Sequence, residues 1–321
     1  MSPIVAAYQH GIHPRSEDVV ATTRAFDRGR VSADEVEDAF KADREDFIAT
    51  QEGAGLDYFS DGLLRWQDIF RPLVEATPGL SARTLVRWFD NNAFFRAPEA
   101  AESLGRLTEA PPELDDGLHL PHPRMATLPS PYLFSRAAHV EGDRNAWMVE
   151  LTEQVLRPLA ETLLDREYAL VHLQEPWASF FGMDTDAWTS FERAIGSLRE
   201  ATEDRAALVL HTYFGDAAPL ADRLRTLPVD AVGVDFVETD LDALGSGWQT
   251  GVLAGCLDGR RSPIESVDGT VAFAERVAEQ LDPPVLYLSS NCELEFLPRD
   301  IARQKVLRLG EVSAAAKKRL S

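Results

Sequence analysis

From residue 168 onward, short apolar or β-branched runs alternate with longer helical stretches, a rhythm that calls for parallel strands joined by helical crossovers. Strands are predicted at 168–173, 206–210, 229–234, 252–257 and 285–288, with helices near 184–199, 220–224 and 299–319. The last helix ends on Lys317, Lys318 and Arg319, cations that suit a helix C-terminus. Earlier in the chain, 4–8, 56–59 and 125–128 suit strands. Ser32 with Glu35 three residues later makes a capping box for a helix reaching about residue 52. Three strands and five make eight, and eight β/α units over roughly 250 residues or more describe a closed barrel. The expected class is therefore α/β, a (β/α)8 TIM barrel, one domain over residues 1–321. Residues 77–123, punctuated by Pro111, Pro112, Pro121 and Pro123, read as a loop-rich segment inserted between the second and third units.

Charge narrows the partners. Fifty-three acidic residues face 32 basic ones, a formal charge of -21, which disfavours general affinity for nucleic acid or an anionic membrane. Small molecules are the expected ligands. Only Lys41, Lys305, Lys317 and Lys318 are lysine, and an acidic, lysine-poor surface suits the cytosol of a halophile, where a Debye length of about 3 Å at molar salt screens self-repulsion. Two cysteines make no disulfide framework, the N-terminus lacks the basic start and apolar core of a signal peptide, and no stretch approaches the roughly 20 apolar residues that span a bilayer. A cytoplasmic protein is expected.

Chemistry in such a barrel gathers where the strands end. There the sequence places Gln9, His10, Gly11, His13 and Arg15; then Gln174 and Glu175; His211 and Tyr213; Asp235; Asp258 and Arg260; and Asn291, Cys292 and Glu293. Imidazole, carboxylate and thiolate are usual zinc ligands, so His211, Asp235 and Cys292 form a candidate metal set. The plainer alternative is a buried thiol, a hydrogen-bonded rim histidine and a helix N-cap. Glu175, directly after a strand, suits an acid, a substrate contact or a brace between loops. Arg87, Trp88, Phe89, Phe94, Phe95 and Arg96 can stack a flat heterocycle and hold a carboxylate, or pack the insertion onto the barrel.

The segments Arg87-Trp88-Phe89-Asp90-Asn91-Asn92, Leu128-Pro129-Ser130-Pro131-Tyr132, Gln174-Glu175-Pro176, His211-Thr212-Tyr213-Phe214-Gly215, Leu227-Pro228-Val229-Asp230, Leu257-Asp258-Gly259-Arg260 and Ser290-Asn291-Cys292-Glu293-Leu294 together resemble the cobalamin-independent methionine synthases. That family resembles two barrels in tandem, a C-terminal one holding zinc and homocysteine and an N-terminal one without metal. The zinc barrel's motif is His-x-Cys, then Glu, then Cys. His211 and Cys292 match it, whereas Tyr213 replaces the first Cys and Asp235 the Glu. One methylene less withdraws the carboxylate by about 1.5 Å, against a tolerance in metal–ligand distance of about 0.2 Å. Ile12 stands at a Ser position of the substrate site, Leu63 at a Glu position and Gln174 at the Asp of Asp-Glu-Pro.

Trp88-Phe89-Asp90-x-Asn92, Thr212-Tyr213-Phe214-Gly215 and Asp258-Gly259-Arg260 look like motifs of the N-terminal barrel. The resemblance implies methyl transfer from a methylated tetrahydrofolate or related pterin to homocysteine, in methionine biosynthesis. This chain would contribute the donor side and a separately encoded barrel the zinc. It implies roles for Glu175 and His211 in catalysis and for Arg15, Arg87, Asp90, Asn92, Gln174 and Asp258 in substrate binding. Two other functions stay open: an autonomous zinc methyltransferase using His211, Asp235 and Cys292, and a non-catalytic pterin-binding or regulatory protein.

Overall fold

The computed structural model describes residues 3–320. Seven parallel strands form one curled sheet in the order β1 (Ile4–Ala7), β9 (Val285–Ser290), β8 (Gly251–Leu257), β7 (Ala231–Asp235), β6 (Ala207–Thr212), β5 (Tyr168–Gln174), β4 (Arg124–Pro129). The five strands expected from residue 168 onward are all present, four of them preceded by an α-helix and β8 by a short 3-10 turn at Leu241–Leu244. The helices are α1 (Glu17–Phe26), α2 (Ala33–Ala54), α3 (Arg71–Ala76), α4 (Pro131–Ala137), α5 (Arg144–Leu151), α6 (Arg157–Asp165), α7 (Pro176–Phe181), α8 (Thr185–Thr202), α9 (Ala221–Leu224), α10 (Val267–Leu281) and α11 (Arg299–Leu320). The capping box at the start of α2 is complete: Glu35 N donates to Ser32 Oγ at 3.3 Å and Ser32 N to Glu35 Oε2 at 2.8 Å.

The expected strand at 56–59 is reduced to a single bridge between Phe59 and Arg124, but it lies between the two sheet edges. Asp57 N donates to Ala7 O at 2.9 Å on one side, and on the other Phe59 N donates to Pro123 O at 3.0 Å and Met125 N to Phe59 O at 2.9 Å. The Asp57 carboxylate adds a bond from Ala7 N at 2.7 Å and takes Lys317 of α11. An aspartate whose charge is spent on these contacts favours a brace over an extended ladder.

Residues 77–123 hold more regular structure than their prolines suggest. An antiparallel hairpin, β2 (Leu80–Arg87) with β3 (Phe94–Ala100), folds back over the sheet, followed by a 3-10 turn at Pro112–His119. β2 is exposed over Arg83–Arg87, where Leu85 and Val86 follow one another between polar residues, so the strand shows no hydrophobic alternation.

Inside the curl, alternate residues form layers. The lowest holds Ala6, Tyr8, Met125, Leu170, Val209, Ala231, Leu253 and Tyr287. Above it, on the same strand parity, come His10, His172 and His211, and then the polar mouth. The larger apolar core lies between the sheet and the helices.

Candidate active site

Four polar groups from neighbouring strand ends meet at the mouth: Gln174, Tyr213, Asp235 and Glu293, all buried. Gly11 lets the first loop descend among them, its φ of +73 lying in the left-handed region; a Cβ there would stand 2.6 Å from Glu293 Cβ and 2.7 Å from Gln174 Nε2. Glu293 is the hub. It accepts from Trp88 Nε1 at 3.0 Å and from Gln174 Nε2 at 3.2 Å, and burial raises its pKa. Glu295 lies nearby in a pocket that it shares with Ile12, Trp88, Gln174 and Glu293; burial and then the Glu293 charge raise it as well. Sequence reasoning passed over Glu295 because it lies one residue beyond the expected motif.

The hairpin covers this mouth. Trp88 and Phe95 pack on Phe70, while Phe89 meets Trp177, Phe180, Phe181 and Phe214. The aromatic run therefore packs the insertion onto α7, the start of α3 and the loop after β6. Phe94 remains exposed.

The residues the resemblance assigned to substrate divide between turn, brace and mouth. Arg87 is exposed and donates to Asn91 O at 2.7 Å and Asp90 O at 3.0 Å, which fixes the hairpin turn. Asp90 reaches Arg260 at 3.4 Å, and Asn92 is exposed beside it. Arg15 donates to Leu64 O at 2.7 Å and to Trp66 O, bracing a loop with its guanidinium largely buried. Asp258 caps its own loop, accepting from Arg260 N at 2.9 Å. Of these six, only Gln174 lies among the buried groups at the mouth.

Glu175 is buried beneath it and joins two helices. One oxygen accepts from Ala178 N at 2.9 Å at the start of α7; the other takes Leu133 N at 3.0 Å and the Ser130 hydroxyl at the start of α4. Burial pushes its pKa up to about 7 despite these donors. Such a carboxyl positions α4 and α7 at the mouth.

The metal set is not assembled in the form zinc requires. Tyr213 fills the expected thiolate position with a buried ring, and burial followed by the Glu293 charge holds its phenol well above the usual range. Asp235 already serves Asn291 Nδ2 at 2.9 Å, Val237 N at 3.0 Å, Glu238 N at 3.3 Å and Phe214 N at 3.1 Å; burial pushes its pKa up to about 6. The Cys292 thiol points at Glu293 O, 3.5 Å away, and burial, then Glu293 and Asp235, raise its pKa well above normal. His211 instead joins His10 and His172 in the layer below. Among the described residues, Asp235 and Cys292 form no three-ligand group with it.

Comparison with known proteins places this architecture. The model of the cobalamin-independent synthase N-terminal domain matches residues 75–282, about two thirds of the chain. The methionine synthase of Sulfolobus acidocaldarius is 24% identical over 310 residues, covering 93% of this chain and 88% of the relative. The methionine synthase of Methanothermobacter marburgensis is 26% identical, covering 84% and 87%. A 5-methyltetrahydropteroyltriglutamate–homocysteine methyltransferase of Herpetosiphon aurantiacus is 25% identical over 76% of this chain, which spans only 33% of that relative's length. In fold, the chain resembles the B12-independent methionine synthase of Shewanella sp. W3-18-1 in complex with selenomethionine, with a TM-score of 0.78 at 16% identity over 100% and 99% of the two chains. A putative vitamin-B12-independent methionine synthase from Listeria monocytogenes gives 0.73 at 15% identity over 98% of both. With the family model spanning most of the sheet and the hairpin above it, the chain belongs to the family of the cobalamin-independent synthase N-terminal domain.

Proposed function

We propose that the chain takes part in methyl transfer from a methylated tetrahydrofolate or related pterin to homocysteine, as a methionine-synthase-type methyltransferase component that works beside a separate zinc-bearing barrel. The observation that carries this reading is the state of the expected ligands. A tyrosine ring stands where a thiolate is needed, and the Asp235 oxygens are committed to four donors. Zinc accelerates thiol chemistry by stabilising the thiolate at neutral pH, and the Cys292 sulfur is directed at Glu293 O and converges with neither His211 nor Asp235 in a three-ligand group among the described residues. The chain keeps the roofed mouth and the family relationship without the zinc barrel's own His-Cys-Glu-Cys ligand set.

The same reading extends the fold to a (β/α)8 barrel in which 57–59 serves as a vestigial eighth strand and 77–123 is an insertion within a single domain. In it Trp88, Gln174 and Glu293 form the polar floor for a donor's heterocycle, and Glu175 and Asp235 keep that floor in place. Glu175 and His211 then act as positioning residues, while Arg87, Asp90, Asn92, Arg15 and Asp258 shape the rim.

Reconstitution tests the proposal. The purified chain should give no methionine from methyltetrahydrofolate and homocysteine, and addition of a zinc-bearing barrel should restore turnover. Robust turnover by the chain alone would overturn it.

A further inference from the structure

Beneath the mouth, His10, His172 and His211 are buried completely and face one another. One ring nitrogen from each lies within 4.8 Å of the other two. Four of their six nitrogens, His10 Nδ1, His172 Nε2 and both of His211, have no hydrogen-bond partner among the described protein groups. Buried polar atoms are paired in more than nine cases of ten, and each stranded one costs about 1–3 kcal/mol. Four in one layer point to something they hold.

The other contacts of the trio indicate what. His10 Nε2 lies 3.2 Å from Ser290 O, an acceptor only, so this nitrogen carries the proton and Nδ1 keeps its lone pair. His172 Nδ1 lies 3.0 Å from the Tyr8 hydroxyl, and in the tautomer in which Nδ1 donates to that oxygen Nε2 keeps its lone pair. Ligating histidines are commonly anchored this way through the second ring nitrogen. All three rings are wholly buried, a setting that favours the neutral, ligating imidazole over the imidazolium. His211 sits on Gly233, where a Cβ would stand 2.5 Å from the ring, so the floor of the layer is kept open for it.

We propose that these three imidazoles form a nitrogen-only site for a borderline divalent transition-metal ion such as Zn2+. It shares His211 with the ligand set implied by the family resemblance but uses neither thiolate nor carboxylate, and it does not depend on the partner-barrel reading. An equilateral triangle of 4.8 Å sides puts its centre about 2.8 Å from each nitrogen, against about 2.0–2.1 Å for a zinc–imidazole bond, so each ring moves inward by about 0.7 Å or less. His10 and His172 are stacked at 4.2 Å and 15°, so one of them must tilt for both lone pairs to meet the ion. Loss of that stack is the structural mark of loading.

The test uses the full chain expressed in cobalt-supplemented, zinc-depleted medium and purified without chelator, so that metal is offered as the protein folds. The proposal expects about one cobalt per chain by elemental analysis and a visible d–d absorption without the intense near-ultraviolet thiolate-to-cobalt band. His172→Gln and His10→Gln should each lower occupancy at least tenfold, while Cys292→Ser should keep it. Absence of cobalt, or a thiolate band that vanishes in Cys292→Ser, would overturn the proposal. Both of these readouts need only variants or wild-type protein that remain folded, and the wild-type spectrum needs no histidine variant at all. A water molecule at the centre, found in a crystal structure of protein prepared in this way, would overturn it too.

Discussion

If Asp235 is a brace for the mouth, removing its carboxylate must cost stability in an amount set by the donors it strands. In Asp235→Ala the fully buried Asn291 Nδ2 and Phe214 N lose their acceptor, and the partly buried Val237 N loses its own. At about 1–3 kcal/mol for each buried donor, and with the carboxylate's own desolvation relieved, the net loss at pH 7 is about 2–4 kcal/mol. Asp235→Asn keeps one acceptor oxygen and should lose about 1 kcal/mol. The pH dependence sharpens the expectation. Burial raises the folded pKa from 3.8 to about 6, so this group's contribution to stability is fully present below 3.8 and is lost as pH rises through 6. Between pH 7 and pH 5 wild type therefore gains about 1.4 kcal/mol that Asp235→Ala cannot, and the penalty grows on acidification. Urea unfolding at the two pH values and fixed salt, with unchanged m, measures both quantities. A penalty below 0.5 kcal/mol, or one that shrinks at pH 5 as for a carboxylate held ionised by a cation, would refute the brace (threshold of about the size of an ordinary surface change).

Other substitutions probe the same scaffold. Glu175→Ala removes the acceptor at the start of both α4 and α7 and should cost about 2–4 kcal/mol by denaturant unfolding, with faster amide exchange in both helices than elsewhere. Burial, then Arg299, lowers the pKa of His13 from 6.5 to about 3, so its stabilisation is present above 6.5 and drains as pH falls; His13→Gln should flatten the stability profile between pH 6.5 and 4.5 by about 2 kcal/mol. Trp88→Phe deletes the donor to Glu293 and should loosen residues 85–95 in hydrogen exchange while leaving the amides of β5 to β9 unchanged. Unchanged exchange at the hairpin would show that aromatic packing alone holds it.

Much of the fold is legible in the residues because its parallel strands are buried on both faces. Runs such as 168–173 and 252–257 carry almost no polar residue, and Ser32, Asp184 and Ser266 mark helix starts by their caps. The hairpin was missed because β2 lies on solvent and its apolar residues Leu85 and Val86 are consecutive, giving no alternation. The histidine layer was missed for the opposite reason. His172 sits inside an apolar run, and only its parity with Leu170 and Gln174 reveals that it faces inward beside His10 and His211. At the mouth, the residue types named the converging groups, but their partners decide their roles. Glu175 and Asp235 read equally well as catalytic or structural until both oxygens of each are seen to be engaged.

The central claim is that this chain does not by itself convert homocysteine's thiol into a thiolate. Calorimetry of homocysteine titrated into the isolated chain at pH 7, in two buffers of different ionisation enthalpy, counts the protons released on binding. The account predicts none beyond the buffer background, and release of about one proton per bound homocysteine would contradict it.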